Sequence, residues 1–458
     1  MSQTGAWLRT RDVDATIEGR ARSGTDRAVA ANAGRRLDGS ACAAWAALVV
    51  AGAAALYVAS PDLARIGTRF PPLHARWDWR AGPSAIAAVG VAAAAVVAGP
   101  RLAARASFRA VLAGSAALAA LWSVALALVD GTPGLLAPVV RRSEYLAGVA
   151  HVTSPAAFLR GFVDHLAGAP VHVQGHPPGY PLVVWAIDRL GFGAGGVTAL
   201  QVVGGALAAP AVVVTVRAVS GETFARAGAP FVALAPAAIW MASSADAFFA
   251  GVGAWAVACT VLAIARDDRR GDGLALVGGL LFGVLAFQSY GLVLLAAVPV
   301  AVAVARRRAR PIALAGAGAA FVFAAFLGLG FWWLDGLFAT RARYLAGIAS
   351  RRPFAAFAVS DLSCVAVVTG PAVAVGLRSL RRSAWLLPGA AIAAIALADL
   401  SGMAKGEVER IWLPFTIWLL PAAGAIAARG RAGTRASWWL AAQAAFAILL
   451  QVAVRTPW

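Results

Sequence analysis

Lysine is almost missing from this chain: of 40 Lys+Arg, only Lys405 is a lysine. Charge of either sign is scarce, 13% of residues against 60% hydrophobic. So little charge cannot cover a soluble globular protein, and that class is excluded. Cysteine is limited to Cys42, Cys259 and Cys364, far apart and in or near apolar runs. That pattern excludes a disulfide frame and a Cys-based metal site, leaving small packing residues. No Walker, Rossmann or Ser-His-Asp pattern occurs, so nucleotide-driven and serine-hydrolase chemistries have no support.

Apolar runs long enough to cross a bilayer are abundant. They lie near 41–60, 83–100, 109–129, 193–217, 227–243, 244–265, 272–289, 290–305, 311–333, 357–377, 384–400, 411–428 and 436–454, about thirteen spans. The predicted fold class is all-α, a polytopic membrane protein whose outer-face loop carries short interfacial helices. The first forty residues, with Arg9, Arg11, Arg20, Arg22, Arg27, Arg35 and Arg36, read as a disordered basic cytoplasmic tail. They lack the pattern of a cleaved signal peptide. Residues 41–108 hold two transmembrane helices, and 109–458 form the main membrane domain.

Charge orients the spans. With the N-terminus inside, inner connections collect 25 of the 40 Lys+Arg and 9 of the 21 Asp+Glu, a balance of +16 against +3 outside. The net +19 therefore reflects membrane topology and not nucleic-acid binding. Counting 180–190 as a full span would invert every later loop, so it is predicted to be half-inserted or interfacial. The expected setting is a bacterial plasma membrane with the active face outward. The lipid bilayer is the one partner composition specifies, and oligomeric state is left open.

On the outer side a polar loop, 130–178, carries His151, His165, His172 and His176, four of the five histidines, with Glu144 and Asp164. Ser154-Pro155 opens a helix whose stripe Leu159, Phe162, Val163 and Leu166 should lie in the headgroup region. Val171–Gln174 reads as extended. Gly175-His176-Pro177-Pro178-Gly179-Tyr180-Pro181 closes the loop, two prolines holding His176 ahead of the next helix.

This order resembles the GT-C membrane glycosyltransferases, in particular the protein mannosyltransferase and aminoarabinose transferase branch. Ser143-Glu144-Tyr145 and His176-Pro177-Pro178-Gly179-Tyr180 stand where that branch has Asp-Glu-Tyr and His/Lys-Pro-Pro-Leu-Tyr. Ser243-Ser244-Ala245-Asp246 and Glu409-Arg410-Ile411-Trp412-Leu413-Pro414 resemble two later elements, and the likeness runs over about residues 109–450. Two features depart from the family: Ser143 replaces the usual aspartate, and two spans precede the loop-bearing one instead of one.

The resemblance implies an inverting transfer of a hexosyl or pentosyl unit from a polyprenyl-phosphate carrier to a hydroxyl or amine. Glu144, or failing it Asp164, would take the acceptor proton. His176, Arg341, Arg343 and Tyr344 would hold the donor phosphate. Arg141, Arg142, Tyr180, Asp246, Glu407, Glu409 and Arg410 are further outer-face candidates. No cofactor is specified; a divalent metal held by His151, His165 and His172 is the one option, and their spacings fit no standard zinc pattern. Two other classes stay open. A transporter or flippase would place ionisable groups inside spans and show repeated halves. A non-catalytic envelope protein would leave the clustered outer charges unexplained.

Overall fold

The computed structural model describes residues 38–427 and 432–458, so the predicted tail up to residue 37 lies outside the described residues. Contacts divide the chain within its first helix, between Ala47 and Leu48. All that follows concerns the larger unit.

The chain is an all-α, multi-pass membrane protein. Among the described residues, seven helices are long and apolar enough to cross a membrane, including Pro83–Arg105, Phe108–Asp130, Gly193–Ser220, Ala245–Ile264 and Arg310–Gly328. Helix Ala245–Ile264 is the centre of the bundle, with 78% of its apolar window buried, whereas Pro83–Arg105 has 17% and packs at the edge. Bare backbones bring the central helices close: Gly251 faces the backbone of Gly204, and Gly279 faces that of Ala315. A Cβ at either glycine would force the helices apart.

Several predicted spans are broken helices. Residues 227–243 form helix Glu222–Ala233 followed by a 3-10 turn at Pro236–Trp240. Residues 290–305 form a 3-10 segment, Tyr290–Ala296, and helix Ala297–Arg306. Residues 411–428 are split among short pieces beginning with Val408–Ile411 and Leu413–Thr416. Pro236, Pro414 and Pro421 each sit at the start of a piece, where a missing N–H costs least. Helices Phe354–Thr369 and Pro371–Ser379 meet at 92° around Gly370, which has φ 79°. Buried Gln443 accepts from Ala372 N and donates to Thr369 O, restoring the backbone bonds that the bend removes.

The loop differs from expectation in two places. Ser154 does cap a helix, its Oγ accepting from Ala157 N at 3.2 Å. That helix, Pro155–Arg160, ends at Gly161; of the stripe, Leu159, Phe162 and Leu166 are buried in protein, with Phe162 set edge-on against Phe331, and Val163 alone is exposed. Val171–Gln174 is a helical turn, not an extended piece. Pro170 O accepts from Gln174 N, and Val171 O from Gly175 N. The following segment, Gly179–Arg189, is a separate helix of 11 residues. It is about 16 Å long, near half the hydrocarbon thickness.

A candidate active site at the loop end of the bundle

The helical turn at 171–174 places His172 and His176 one turn apart, with His176 Nδ1 at 2.9 Å from His172 O. His172 then turns outward from that turn to Glu144, its Nδ1 lying 2.8 Å from Glu144 Oε1. On its other side Nε2 faces Arg410 Nη2 at 3.3 Å. A guanidinium can only donate, so Nε2 must accept and Nδ1 must carry the proton given to Glu144. His172 is thereby held in one tautomer, with both ring nitrogens engaged. Glu144 Oε2 makes no hydrogen bond among the described residues and is the open acceptor of the group.

Arg410 is the hub. Its Nη1 binds Asp246 Oδ2 at 2.7 Å, and its Nη2 binds Glu407 Oε2 at 2.7 Å. Its guanidinium also lies 4.3 Å from the ring centre of Trp458. Asp246 opens the central helix, and Arg410 belongs to the short helix Val408–Ile411, so the hub ties the bundle centre to the late loop. Glu407, immediately before that helix, takes a left-handed φ of 64°, unusual for a side chain with a Cβ. Burial pushes the Glu407 carboxyl up, but Arg410, His74, Arg352 and His172 together hold it below its ordinary range. Glu409, fully buried, is pushed by burial to about 7, and its Oε1 accepts from His74 N at 3.3 Å.

Beside the hub lies a cavity of about 690 Å³. Its wall is made by His172, His176, Arg343, Arg352, Lys405 and Arg410, with Glu407, together with apolar groups such as Leu292, Val293, Trp333, Leu337 and Phe415. Three of the cations, Arg343, Arg352 and Lys405, form no ion pair with a carboxylate among the described residues. Lys405 Nζ instead donates to Ala349 O at 2.6 Å and Arg352 O at 2.9 Å, and Arg352 donates back to Lys405 O. Asp361 Oδ1 accepts from Gly406 N at 3.0 Å and Tyr344 OH from Lys405 N at 2.7 Å, fixing the turn that presents the lysine. Arg343 reaches across to Gln174 Oε1 at 3.0 Å, joining segment 333–352 directly to the loop.

The predicted residues thus divide. Glu144, His172, His176, Asp246, Glu407, Arg410, Arg343 and Tyr344 converge here. Arg341 and Arg142 are exposed and line no cavity, and Asp164 is exposed, away from this group. Tyr180 is buried in an aromatic cluster with Tyr145 and Phe249 instead of facing the cavity. Burial pushes the His176 imidazole down to about 4, which leaves it uncharged at neutral pH, against the expectation of a cation at this position. His151 and His165 are exposed, with Nδ1 near Gly148 O and Gly161 O, and do not join His172. Among the described residues no three His, Cys, Asp or Glu side chains come close enough to hold a metal ion. Sequence reasoning missed Lys405, Asp361, His74 and Trp458 as site residues. Lys405 alone carried a signal, as the one lysine.

No family model matches the chain, and no curated protein does either. Among solved structures, the crystal structure of ArnT from Cupriavidus metallidurans in the apo state is similar at 15% identity with a TM-score of 0.45, over 67% of this chain. The matched part spans 60% of that chain's length.

Proposed function

We propose that this protein is a GT-C-type glycosyltransferase that moves a sugar from a polyprenyl-phosphate carrier to an acceptor at the outer face of the membrane. One observation carries the reading: a large cavity whose wall combines apolar side chains with three cations that form no ion pair with a carboxylate among the described residues. A polyprenyl phosphate combines the same two chemistries, an apolar chain and an anion. Fixed cations aimed at the carrier phosphate stabilise the charge that grows on it as the bond to the anomeric carbon breaks. The acceptor oxygen or nitrogen attacks that carbon, and its proton passes to a carboxylate.

Glu144 is the base we assign. It lines neither wall of the cavity itself, but its partner His172 does, and its Oε2 is open. Glu407 does line the cavity, yet the surrounding cations hold its carboxyl below the usual range, making it a poor proton acceptor. Asp246 is committed to Arg410. The outward orientation is supported by the charge balance of the connections, +16 on the inner side against +3 on the outer. We retain about thirteen crossings, counting broken helices as spans.

The test is a transfer assay in membranes with labelled polyprenyl-phosphate sugars. Glu144→Gln keeps the His172 hydrogen bond and should lower turnover by about 10²–10⁴. Full turnover in Glu144→Gln, with loss in Glu407→Gln, would overturn the assignment.

A further inference from the structure

A second cavity, of about 440 Å³, is lined in part by Arg141, three residues before Glu144 in the chain. His172, the partner of Glu144, lines the first cavity; Arg141, whose carbonyl accepts from Glu144 N at 3.0 Å, lines the second. Its wall carries Arg69, Arg76, Arg141 and Arg455, with His74 and Thr68. Arg76 and Arg455 are directly opposite each other in a two-residue antiparallel pairing, Arg76–Trp77 with Val454–Arg455. Like charges at opposed positions destabilise a ladder.

The local acids do not balance this charge. Asp78 lies 3.5 Å from Arg76 and 3.3 Å from Arg455; Asp130 lies 3.1 Å from Arg455 and is shared with Arg80. Arg69 and Arg141 have no ion-pair partner among the described residues. Burial, and then Arg455 and Arg76, push the Arg141 guanidinium down against the pull of Glu144. Next to the cavity Trp77 and Trp79 are exposed and stacked, with ring centres 6.2 Å apart. Exposed tryptophans mark headgroup depth.

We propose that this cavity is a second anion subsite, which takes a phosphate group through the guanidinium forks of Arg69, Arg76, Arg141 and Arg455. Guanidinium and phosphate match in planar, two-point geometry, and Arg69 and Arg141 bring to the cavity two cations that no carboxylate pairs among the described residues. The binding does not rest on the sugar-transfer reading.

The experiment uses the full chain in phosphatidylcholine nanodiscs and reads binding, with no turnover needed. One arm adds phosphatidic acid to the disc; the other adds soluble glycerol phosphate. Native mass spectrometry counts the bound phosphate-bearing molecules. Wild type should bind in at least one arm: the first identifies a lipid headgroup, the second a soluble phosphate. Arg69→Gln with Arg141→Gln removes two cations that hold no carboxylate, and should weaken binding by about tenfold or more. Arg69→Lys with Arg141→Lys retains the charge, controls for folding and should retain most of the binding. Binding in neither arm, or equal binding by wild type and the Gln pair, would overturn the proposal.

Discussion

Replacing Arg410 tests whether the hub is one coupled unit. Arg410→Met keeps the volume and removes the charge. Asp246, 2% exposed, then faces a buried site with no cation within reach. Breaking one side of a buried ion pair costs about 3–5 kcal/mol, most of it the stranded charge. Glu407 is 25% exposed and can recover water, so its share is smaller, about 1 kcal/mol or less. Asp246→Asn alone should also be costly, since Arg410 would keep only Glu407. Combining Arg410→Met with Asp246→Asn leaves no stranded charge, and much of the loss should return. The coupling between the two sites should be about 2–3 kcal/mol. Reversible unfolding of the four proteins in mixed micelles gives this number directly. Losses that add to within about 0.5 kcal/mol would show that the two side chains do not share an interaction, and the hub as described would be wrong.

Orientation is tested by a cysteine at Gly168, exposed in the loop with open space for a Cβ. It should react with an impermeant thiol reagent in intact cells, and reaction only after lysis would reverse the topology. Gly134 is unsuitable because a Cβ there meets the Ala127 carbonyl. Arg343→Gln should weaken donor binding by about tenfold, while Arg341→Gln, off the cavity, should be silent. With His176 titrating near 4, the donor-affinity profile should show no step around pH 6.5; such a step, abolished by His176→Asn, would refute the burial argument. Glu409 has a folded pKa of about 7, above its unfolded value, so its contribution favours folding at low pH and is lost as pH rises to about 7. Stability should fall by roughly 3 kcal/mol between pH 4 and 8, and Glu409→Gln should flatten that slope.

The fold was legible where a long apolar run makes the helix the sole way to satisfy the backbone in lipid. It was less legible where proline interrupts the run. Residues 227–243 and 411–428 have the hydropathy of spans, but Pro236, Pro414 and Pro421 restart the helix within them, and only packing decides how the pieces are supported. The loop stripe was read correctly as apolar and wrongly as lipid-facing. Periodicity shows which face is buried and does not say whether lipid or protein buries it; here Phe331, over 160 residues away, does so.

The site follows the same division. Glu144, His172 and His176 could be found because they crowd one loop, and Asp246 and Arg410 because they sit in recognisable segments. That Arg410 grips Asp246 across 164 residues is a matter of tertiary geometry, with no local trace. Arg352 is buried and Arg341 exposed, a difference that two arginines of one segment do not show in a sequence. Lys405 is the instructive omission. A chain that uses arginine for the other 39 of its basic residues has kept a lysine at one place. The surroundings supply a physical reason. Its ammonium donates to the carbonyls of Ala349 and Arg352, close together and at different angles, while the Arg352 guanidinium already occupies the neighbouring space. A compact, rotatable three-donor head fits there, and a planar fork does not. The rarity of a residue type can therefore point to a position whose geometry refuses the common substitute, even when no motif surrounds it.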